Sequence, residues 1–329
     1  MSDNENQQGL SQEILENAKE KMANLKANVA KSLVGQDAVL EQVIIAFIAG
    51  GHVLLEGVPG LGKTLLIRAL AESIDLGYKR VQFTPDLMPA DVTGHSMLNM
   101  SNGEFELRKG PAFTHLLLAD EINRAPAKTQ AALLEVMQEH QITIDGTSYE
   151  LDSPFMVLAT QNPIDNEGTY PLPEAELDRF MMKVQVGYPD SEAEIQLTKA
   201  ITTNKITEQN KPISRILNRA DVIALQETAS QVLVDDKIVE YAVNLVRTSR
   251  EWQGIAHGAG VRASIALIQA AKVKALLEGH GFVLPDHIKS MVLPVMRHRI
   301  ILSAELEISG VVIEQVLNDI ITKVPAPRQ

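Results

Sequence analysis

The stretch that decides the fold is Gly57-Val58-Pro59-Gly60-Leu61-Gly62-Lys63-Thr64, which matches the pattern GxxxxGK[ST]. A short apolar run over residues 52–55 precedes it and is typical of a buried strand, and residues 65–72 follow it with strong helix formers. Strand, glycine-rich loop and helix in this order predict a phosphate-binding loop. The glycines allow backbone N–H groups to converge on an anion, and the helix N-terminus favours negative charge.

The residue types in this loop predict a nucleoside triphosphate, taken here to be ATP, together with Mg²⁺. Lys63 would neutralise the β- and γ-phosphates, and Thr64 would offer its hydroxyl to Mg²⁺. The turn at residues 34–36 leads into the loop through a second apolar helix and could wrap the nucleotide base, although an ordinary helix–loop–helix explains it equally well. The predicted nucleotide-binding residues are Gly57, Pro59, Gly60, Gly62, Lys63, Thr64, Leu65 and Gln36.

Two further strand ends carry polar side chains suited to hydrolysis. An apolar run over residues 115–119 ends in Asp120 and Glu121. At the carboxyl end of a strand, Asp120 would hold the Mg²⁺ shell and Glu121 would polarise the attacking water. Asn162 follows the buried run 155–160 and can position the same water, although an asparagine there is also a common turn former.

Composition limits the class of protein. The chain has 329 residues, of which 45% are hydrophobic and 22% charged, and it contains no cysteine. Disulfides and thiolate metal sites are therefore excluded, which fits a cytoplasmic protein. The polar N-terminus has no secretory signal and residues 1–9 are predicted to be disordered. The most apolar run, residues 43–55, is too interrupted to span a membrane, and a net charge of −12 argues against a general nucleic-acid binder.

The remaining pattern predicts two domains. Asn102-Gly103 and Asp145-Gly146 each lie between alternating segments and predict β-hairpins. Strands alternate with helices up to residue 189, and the chain beyond it is helical. This predicts an α/β, doubly wound parallel-sheet domain over residues 10–189, followed by a small all-helical lid domain over residues 190–329.

Two packing expectations accompany this reading. The apolar face of the first helix is predicted to contain Ile14, Ala18, Met22, Leu25 and Val29. The basic run Arg297-His298-Arg299 could form an anion site, but it is interpreted as a solvated helix end.

Over residues 34–329 the chain resembles the MoxR family of AAA+ ATPases. The motifs that carry the resemblance are GVPGLGKT at 57–64, FTPDLMPADVTG at 83–94, GPAF at 110–113, LLLADEINRAPAKTQAALLEVMQE at 116–139, ATQNP at 159–163 and GTYPLPEAELDRF at 168–180. It implies that Lys63 and Thr64 form Walker A and that Asp120 and Glu121 form Walker B. It further implies that Asn162 is sensor 1, Arg179 an arginine finger and Arg262 sensor 2, although Val261 stands where relatives often have proline.

The resemblance also implies partners. MoxR-like proteins resemble chaperones that act as homo-oligomers, expected here to be hexameric rings, with the two hairpins directed toward the pore. Their clients are protein complexes, often with a von Willebrand factor A domain or a metal cofactor. A nucleic-acid-translocating motor is the alternative, but neither residues 96–106 nor residues 141–151 contain Lys or Arg. A magnesium-chelatase-like motor subunit also stays open, whereas Glu121 and Asn162 speak against a switch that does not hydrolyse ATP.

Overall fold

A computed structural model describes residues 9–33, 35–58, 61–101, 103–162, 169–202 and 214–327. The chain divides into two compact units, Leu25–Ala220 and Met1–Asn24 with Asp221–Gln329. The domain bounds expected from the sequence, 10–189 and 190–329, stay a prediction, and residues 1–8 of the expected disordered tail lie outside the described residues.

The unit Leu25–Ala220 contains a five-stranded parallel sheet. Its strands and two hairpins are β1 Val53–Glu56, β2 Tyr78–Gln82, β3 Gly94–Asn99, β4 Glu104–Lys109, β5 Leu116–Asp120, β6 Gln141–Ile144, β7 Thr147–Glu150, β8 Met156–Gln161 and β9 Met182–Gln185. The sheet order is β2-β5-β8-β1-β9, and every neighbouring pair is parallel. Strands β1, β5 and β8 are continuous apolar runs because both faces of the sheet are covered, as in other parallel sheets.

Helices cover the five-stranded sheet and make up most of the second unit. They are α1 Gln12–Ala30, α2 Asp37–Ile48, α3 Lys63–Ile74, α4 Pro89–Thr93, α5 Ala127–Glu139, α6 Glu174–Leu177, α7 Ser191–Thr202, α8 Arg219–Ser230, α9 Asp236–Glu251, α10 Val261–Glu278, α11 Pro285–Met296, α12 Ala304–Ile308 and α13 Ile313–Lys323. A small ladder that the sequence did not predict, β10 Ile255–His257 with β11 Ile301–Leu302, lies in the second unit. None of the described helices is both long and apolar enough to cross a bilayer.

Both predicted hairpins form, and they are exposed to different degrees. Strands β3 and β4 pair in register so that Leu98 lies opposite Phe105. Near the base of this hairpin Leu107 packs against the core, whereas Leu98 and Phe105 extend beyond it. In the second hairpin β6 pairs with β7, and Ile142 and Ile144 are buried. Asn102, which was predicted to lie in the turn of the first hairpin, is outside the described residues.

One packing expectation is confirmed in part and the other is wrong. Ala18, Met22, Leu25 and Val29 of α1 are buried as predicted, but Ile14 is 46% exposed, and the first buried position of α1 is Leu15. The run Arg297-His298-Arg299 is not a solvated helix end, because His298 and Arg299 are buried. Arg299 donates to the carbonyl of Val295, and Arg297 Nε donates to the carbonyl of Leu293 at 3.0 Å. The two guanidinium groups therefore fold back onto carbonyls in the last turn of α11, where cationic side chains are favourable.

Candidate nucleotide site

The loop between β1 and α3 has a backbone that only glycine allows at two positions. The N–H of Gly57 donates to the carbonyl of Gln161 on β8 at 3.3 Å. A Cβ atom at Gly57 would lie 2.4 Å from the carbonyl oxygen of Val186, which leaves no room for a side chain. Gly62 begins α3 from the left-handed region, with φ of 76°. Pro59 and Gly60 were also predicted to bind the nucleotide and lie outside the described residues.

Lys63, the first residue of α3, lies against this loop. Its Nζ donates to the carbonyl of Gly57 at 2.5 Å. Burial lowers the pKa of Lys63 below its usual value, and the carboxylates of Asp120, Glu121 and Glu56 oppose that shift. The ammonium group is thus held partly out of water, with three carboxylates that favour its charge.

The other residues predicted to hold the nucleotide also belong to this loop or contact it. Thr64 and Leu65 are exposed on the first turn of α3. Gln36 Nε2 donates to the carbonyl of Leu61 at 2.6 Å, which ties the turn before α2 to the phosphate loop. The structure therefore brings Gln36 to the loop, and its role in binding the nucleotide stays a prediction.

Asp120 is the last residue of β5, and both of its carboxylate oxygens accept hydrogen bonds. The hydroxyl of Thr160 on β8 donates to Oδ1 at 2.6 Å. Arg80 on β2 donates to Oδ2 from Nη2 at 2.6 Å and from Nε at 3.1 Å. Carboxylate oxygens such as those of Asp120, and hydroxyl oxygens such as that of Thr64, are the ligands that Mg²⁺ prefers beside phosphates. The residues present therefore fit a magnesium ion.

Glu121 has a left-handed backbone, with φ of 57°, a conformation that is uncommon for a residue with a side chain. Its N–H donates to Thr160 Oγ1 at 2.8 Å, which helps to hold this turn. Its carboxylate accepts a hydrogen bond from Gln82 at 2.7 Å and pairs with Arg124 at 3.2 Å. Strained backbone of this kind is often found at functional sites.

The strand order brings these groups to one edge of the sheet. Strand β8 lies between β5 and β1, so the carboxyl ends of the three strands are adjacent. Asn162 directly follows β8 and is buried. Gly57, Lys63, Asp120, Glu121 and Asn162 therefore share the edge at which ligands bind in open α/β sheets.

Sequence reasoning missed three residues that contact Asp120 or Glu121, namely Arg80, Gln82 and Thr160, and it also missed Lys183. Lys183 on β9 pairs with Glu56, the last residue of β1, at 2.7 Å. Arg80 and Gln82 are two residues apart, and alternation in a strand puts both on one face of β2. That alternation was visible in the sequence, but the pairing of β2 with β5 was not.

The two predicted arginines occupy different units. Arg179 follows α6, is half-buried, and donates from Nη1 to the carbonyl of Leu134 on α5 at 2.8 Å. Arg262 is exposed in the first turn of α10 and belongs to the unit that includes Asp221–Gln329. Their roles as arginine finger and sensor 2 stay predictions.

A group of potential metal ligands lies elsewhere, in the second unit. The ligand atoms of Glu278, His280 and His287 are within 4.8 Å of one another. His287 Nδ1 accepts the N–H of Leu284 at 3.0 Å, so Nε2 carries the proton and donates to Glu278. A protonated Nε2 cannot bind a metal, and the group is therefore a hydrogen-bonded cluster.

Comparisons with known proteins identify the family to which the chain is similar. Residues 52–182 match the ATPase family associated with various cellular activities (AAA), and residues 247–320 match the AAA lid domain. Chaperone MoxR1 of Mycobacterium tuberculosis is 40% identical over 311 residues, which cover 91% of this chain and 81% of that protein. Protein MoxR of Methylorubrum extorquens is 30% identical over 331 residues, which cover 93% of this chain and 95% of that protein.

The chain belongs to the MoxR family of AAA+ ATPases. Another relative, the protein YeaC of Bacillus subtilis, is 43% identical over 305 residues, which cover 92% of this chain and 93% of that one. The crystal structure of a candidate ATPase from Cytophaga hutchinsonii superposes with a TM-score of 0.88 at 41% identity, covering 96% and 98% of the two chains. The predicted fold class, a parallel-sheet AAA+ domain followed by a helical lid, is confirmed for this MoxR-family chain.

Proposed function

We propose that this MoxR-family protein hydrolyses ATP with Mg²⁺ and uses the cycle to remodel or mature a protein complex. The observation that carries the proposal is the convergence of Lys63, Asp120, Glu121 and Asn162 at one edge of the parallel sheet. Family membership supports nucleotide binding in general. The hydrolytic roles follow from the chemistry of these side chains.

Nucleotide binding would begin at the phosphate loop. Lys63 Nζ, which now donates to the carbonyl of Gly57, would turn to the β- and γ-phosphate oxygens. Its partial burial strengthens that charge interaction because less water screens it. Magnesium would neutralise charge on the same phosphates. The Thr64 hydroxyl and the Asp120 carboxylate would hold the ion.

Hydrolysis would depend on Glu121. Its carboxylate would take a proton from the attacking water, and the amide of Asn162 would orient that water. Thr160 fixes the backbone N–H of Glu121, so the carboxylate starts from a defined position. Gln82 and Arg124 hold that carboxylate and would have to release it for the water.

A second subunit would complete the site, in a ring that we expect to be hexameric. Arg179 is anchored through Nη1 to the carbonyl of Leu134, and a guanidinium group has further N–H donors that could reach another partner. A guanidinium group is suited to stabilise charge on a transferring phosphoryl group of a neighbour. Arg262 would act as sensor 2 from the first turn of α10.

The proposed protein client is supported by the first hairpin. Met97, Leu98, Met100 and Phe105 are exposed by 51%, 43%, 88% and 75%. Exposed apolar side chains, methionine above all, are typical of adaptable protein-binding surfaces. The described residues between 96 and 106 include no cation that could follow a nucleic-acid backbone. A client with a von Willebrand factor A domain and a cytoplasmic location stay predictions.

The test uses a trap variant, that is, one that binds ATP but does not hydrolyse it and therefore keeps its client bound. Glu121→Gln should bind ATP normally but hydrolyse it about 10²- to 10⁴-fold more slowly, because the amide keeps the shape and loses the base. The tagged variant with ATP should retain client proteins, and the double variant with Lys63→Ala should not, because it lacks the phosphate-binding charge. Near-normal hydrolysis by Glu121→Gln would move the base elsewhere, and hydrolysis stimulated by DNA would favour the nucleic-acid motor.

A further inference from the structure

Arg80 makes a contact that the proposed hydrolysis does not use. It lies on β2, the edge strand of the sheet next to β5. Its Nη2 and Nε both donate to Asp120 Oδ2, at 2.6 and 3.1 Å, and Nη2 also donates to Gln82 Oε1 at 2.7 Å. Gln82 thus fixes the orientation of a guanidinium group that is already bonded to Asp120.

This contact occupies the carboxylate predicted to serve Mg²⁺. Oδ1 of Asp120 accepts from Thr160, so both oxygens of the group have a donor. The Asp120 side chain is only 15% exposed, whereas that of Arg80 is 47% exposed. Arg80 can therefore move away into water, while Asp120 stays in place at the end of β5.

The Arg80 guanidinium group and Mg²⁺ would then both bind the carboxylate of Asp120. A magnesium ion and its bound waters need acceptor oxygens, and a guanidinium group uses the same lone pairs. Two positive charges near one carboxylate also repel each other, and the repulsion is stronger where the site is partly shielded from water. Binding of the ion should weaken the Arg80–Asp120 pair, and the pair should weaken binding of the ion.

We propose that Arg80 competes with Mg²⁺ for Asp120 and thereby sets the Mg²⁺ concentration that nucleotide binding requires. This inference rests on the proposed function, because it assumes that the site binds ATP with the ion. Arg80 acts through Asp120 and is not a catalytic residue. Its loss should therefore change the response to Mg²⁺ more than the affinity for ATP without the ion.

The experiment measures binding of a fluorescent ATP analogue to the full chain, first in EDTA and then across a series of Mg²⁺ concentrations. In Arg80→Gln, the Mg²⁺ concentration at half-maximal binding should fall about three- to fivefold, as expected for the loss of one partly exposed ion pair. Arg80→Lys should give a smaller fall, because the ammonium group keeps the charge and loses the paired donors. Binding in EDTA should change little.

Arg68→Gln is the matched control. Arg68 lies on α3 in the same compact unit and pairs with Glu72 at 2.7 Å. The substitution removes the same charge from an exposed arginine and should leave the Mg²⁺ response unchanged. Thermal unfolding in EDTA verifies that each variant is folded. If Arg80→Gln is not folded, the Mg²⁺ midpoint of Arg80→Lys tests the competition instead.

The outcomes separate the inference from the function. An unchanged Mg²⁺ midpoint in Arg80→Gln, with ATP bound, would overturn the competition. A raised midpoint would also overturn it, since Arg80 would then orient Asp120 for the ion. Failure of the unaltered protein to bind ATP at any Mg²⁺ concentration would instead reject the proposed function.

Discussion

The hydroxyl of Thr160 donates a hydrogen bond of 2.6 Å to Asp120. The same hydroxyl accepts the N–H of Glu121 at 2.8 Å, so one side chain on β8 holds both acids at the end of β5. Thr160 is fully buried, and no water replaces these bonds easily when they are lost.

We predict that Thr160→Val slows ATP hydrolysis about 10- to 100-fold, because a small displacement of catalytic groups costs that much. Valine keeps the shape and leaves the Asp120 oxygen and the Glu121 N–H without the hydroxyl. Thr160→Ser is the control, because it retains the hydroxyl and should recover most of the rate. Steady-state hydrolysis is measured for both variants, and circular dichroism verifies that they are folded. An unaltered rate in Thr160→Val would show that the two bonds do not position the acids.

We predict that Arg179→Ala binds ATP normally and hydrolyses it about 10³-fold more slowly, as expected for the loss of an arginine finger. Mixing it with Lys63→Ala should restore part of the activity, because some interfaces then pair an intact pocket with an intact finger. Hydrolysis is measured over a range of mixing ratios after subunit exchange has been verified. No recovery at any ratio would argue against action between subunits.

Arg179→Ala also needs a stability control, since Arg179 donates to the carbonyl of Leu134. Arg179→Lys keeps a donor near that carbonyl and loses the planar fork, so it should remain slow in hydrolysis. An Arg179→Lys rate equal to that of the unaltered protein would indicate that the residue only supports α5.

The exposed pair Leu98 and Phe105 is predicted to contact the client. Replacing both with serine in the Glu121→Gln trap should reduce client capture about tenfold or more, because large apolar side chains supply much of the affinity of such contacts. The matched control replaces Glu104 and Glu106 of the same hairpin with serine. If the variant with serine at positions 98 and 105 captured as much client as the trap variant without these substitutions, a contact through the apolar face would be contradicted.

His52 is predicted to make stability depend on pH. The ring is buried, with Nε2 donating to the carbonyl of Met137 and Nδ1 accepting the N–H of Val157, each at 3.0 Å. Burial lowers the pKa of His52 from 6.5 to about 4, the carbonyl of Met137 opposes the shift, and His140 adds to it. The unfolded chain therefore takes up this proton near pH 6.5, and the folded chain only near pH 4.

The free energy of unfolding should thus fall as the pH decreases from about 6.5 to about 4, by up to about 1.4 kcal/mol per pH unit from this group. Urea unfolding at pH 7 and pH 5 measures the change. His52→Gln lacks the titrating group, so its loss of stability over that interval should be smaller by roughly 2 kcal/mol. The same pH dependence in both proteins would assign the effect to other groups.

Much of the nucleotide site could be predicted because its chemistry is local. Gly62 is required by its own left-handed backbone, and Lys63 follows it directly on α3. The close approach of Val186 to Gly57, by contrast, comes from a residue distant along the chain. The hairpins were equally predictable, since Asp145-Gly146 and Asn102-Gly103 favour a tight turn wherever they stand between alternating segments.

The sequence by itself therefore determined the family and the parallel sheet with its helical lid, and it predicted which residues bind phosphate. Only the tertiary structure decided that β2 lies beside β5, which brings Arg80 and Gln82 to the two acids, and that β8 presents Thr160 between them. An alternating pattern tells which side chains share a face, but not which strand is the neighbour. Strand order is set by packing of the whole sheet, so contacts between residues distant along the chain appear only when it has folded.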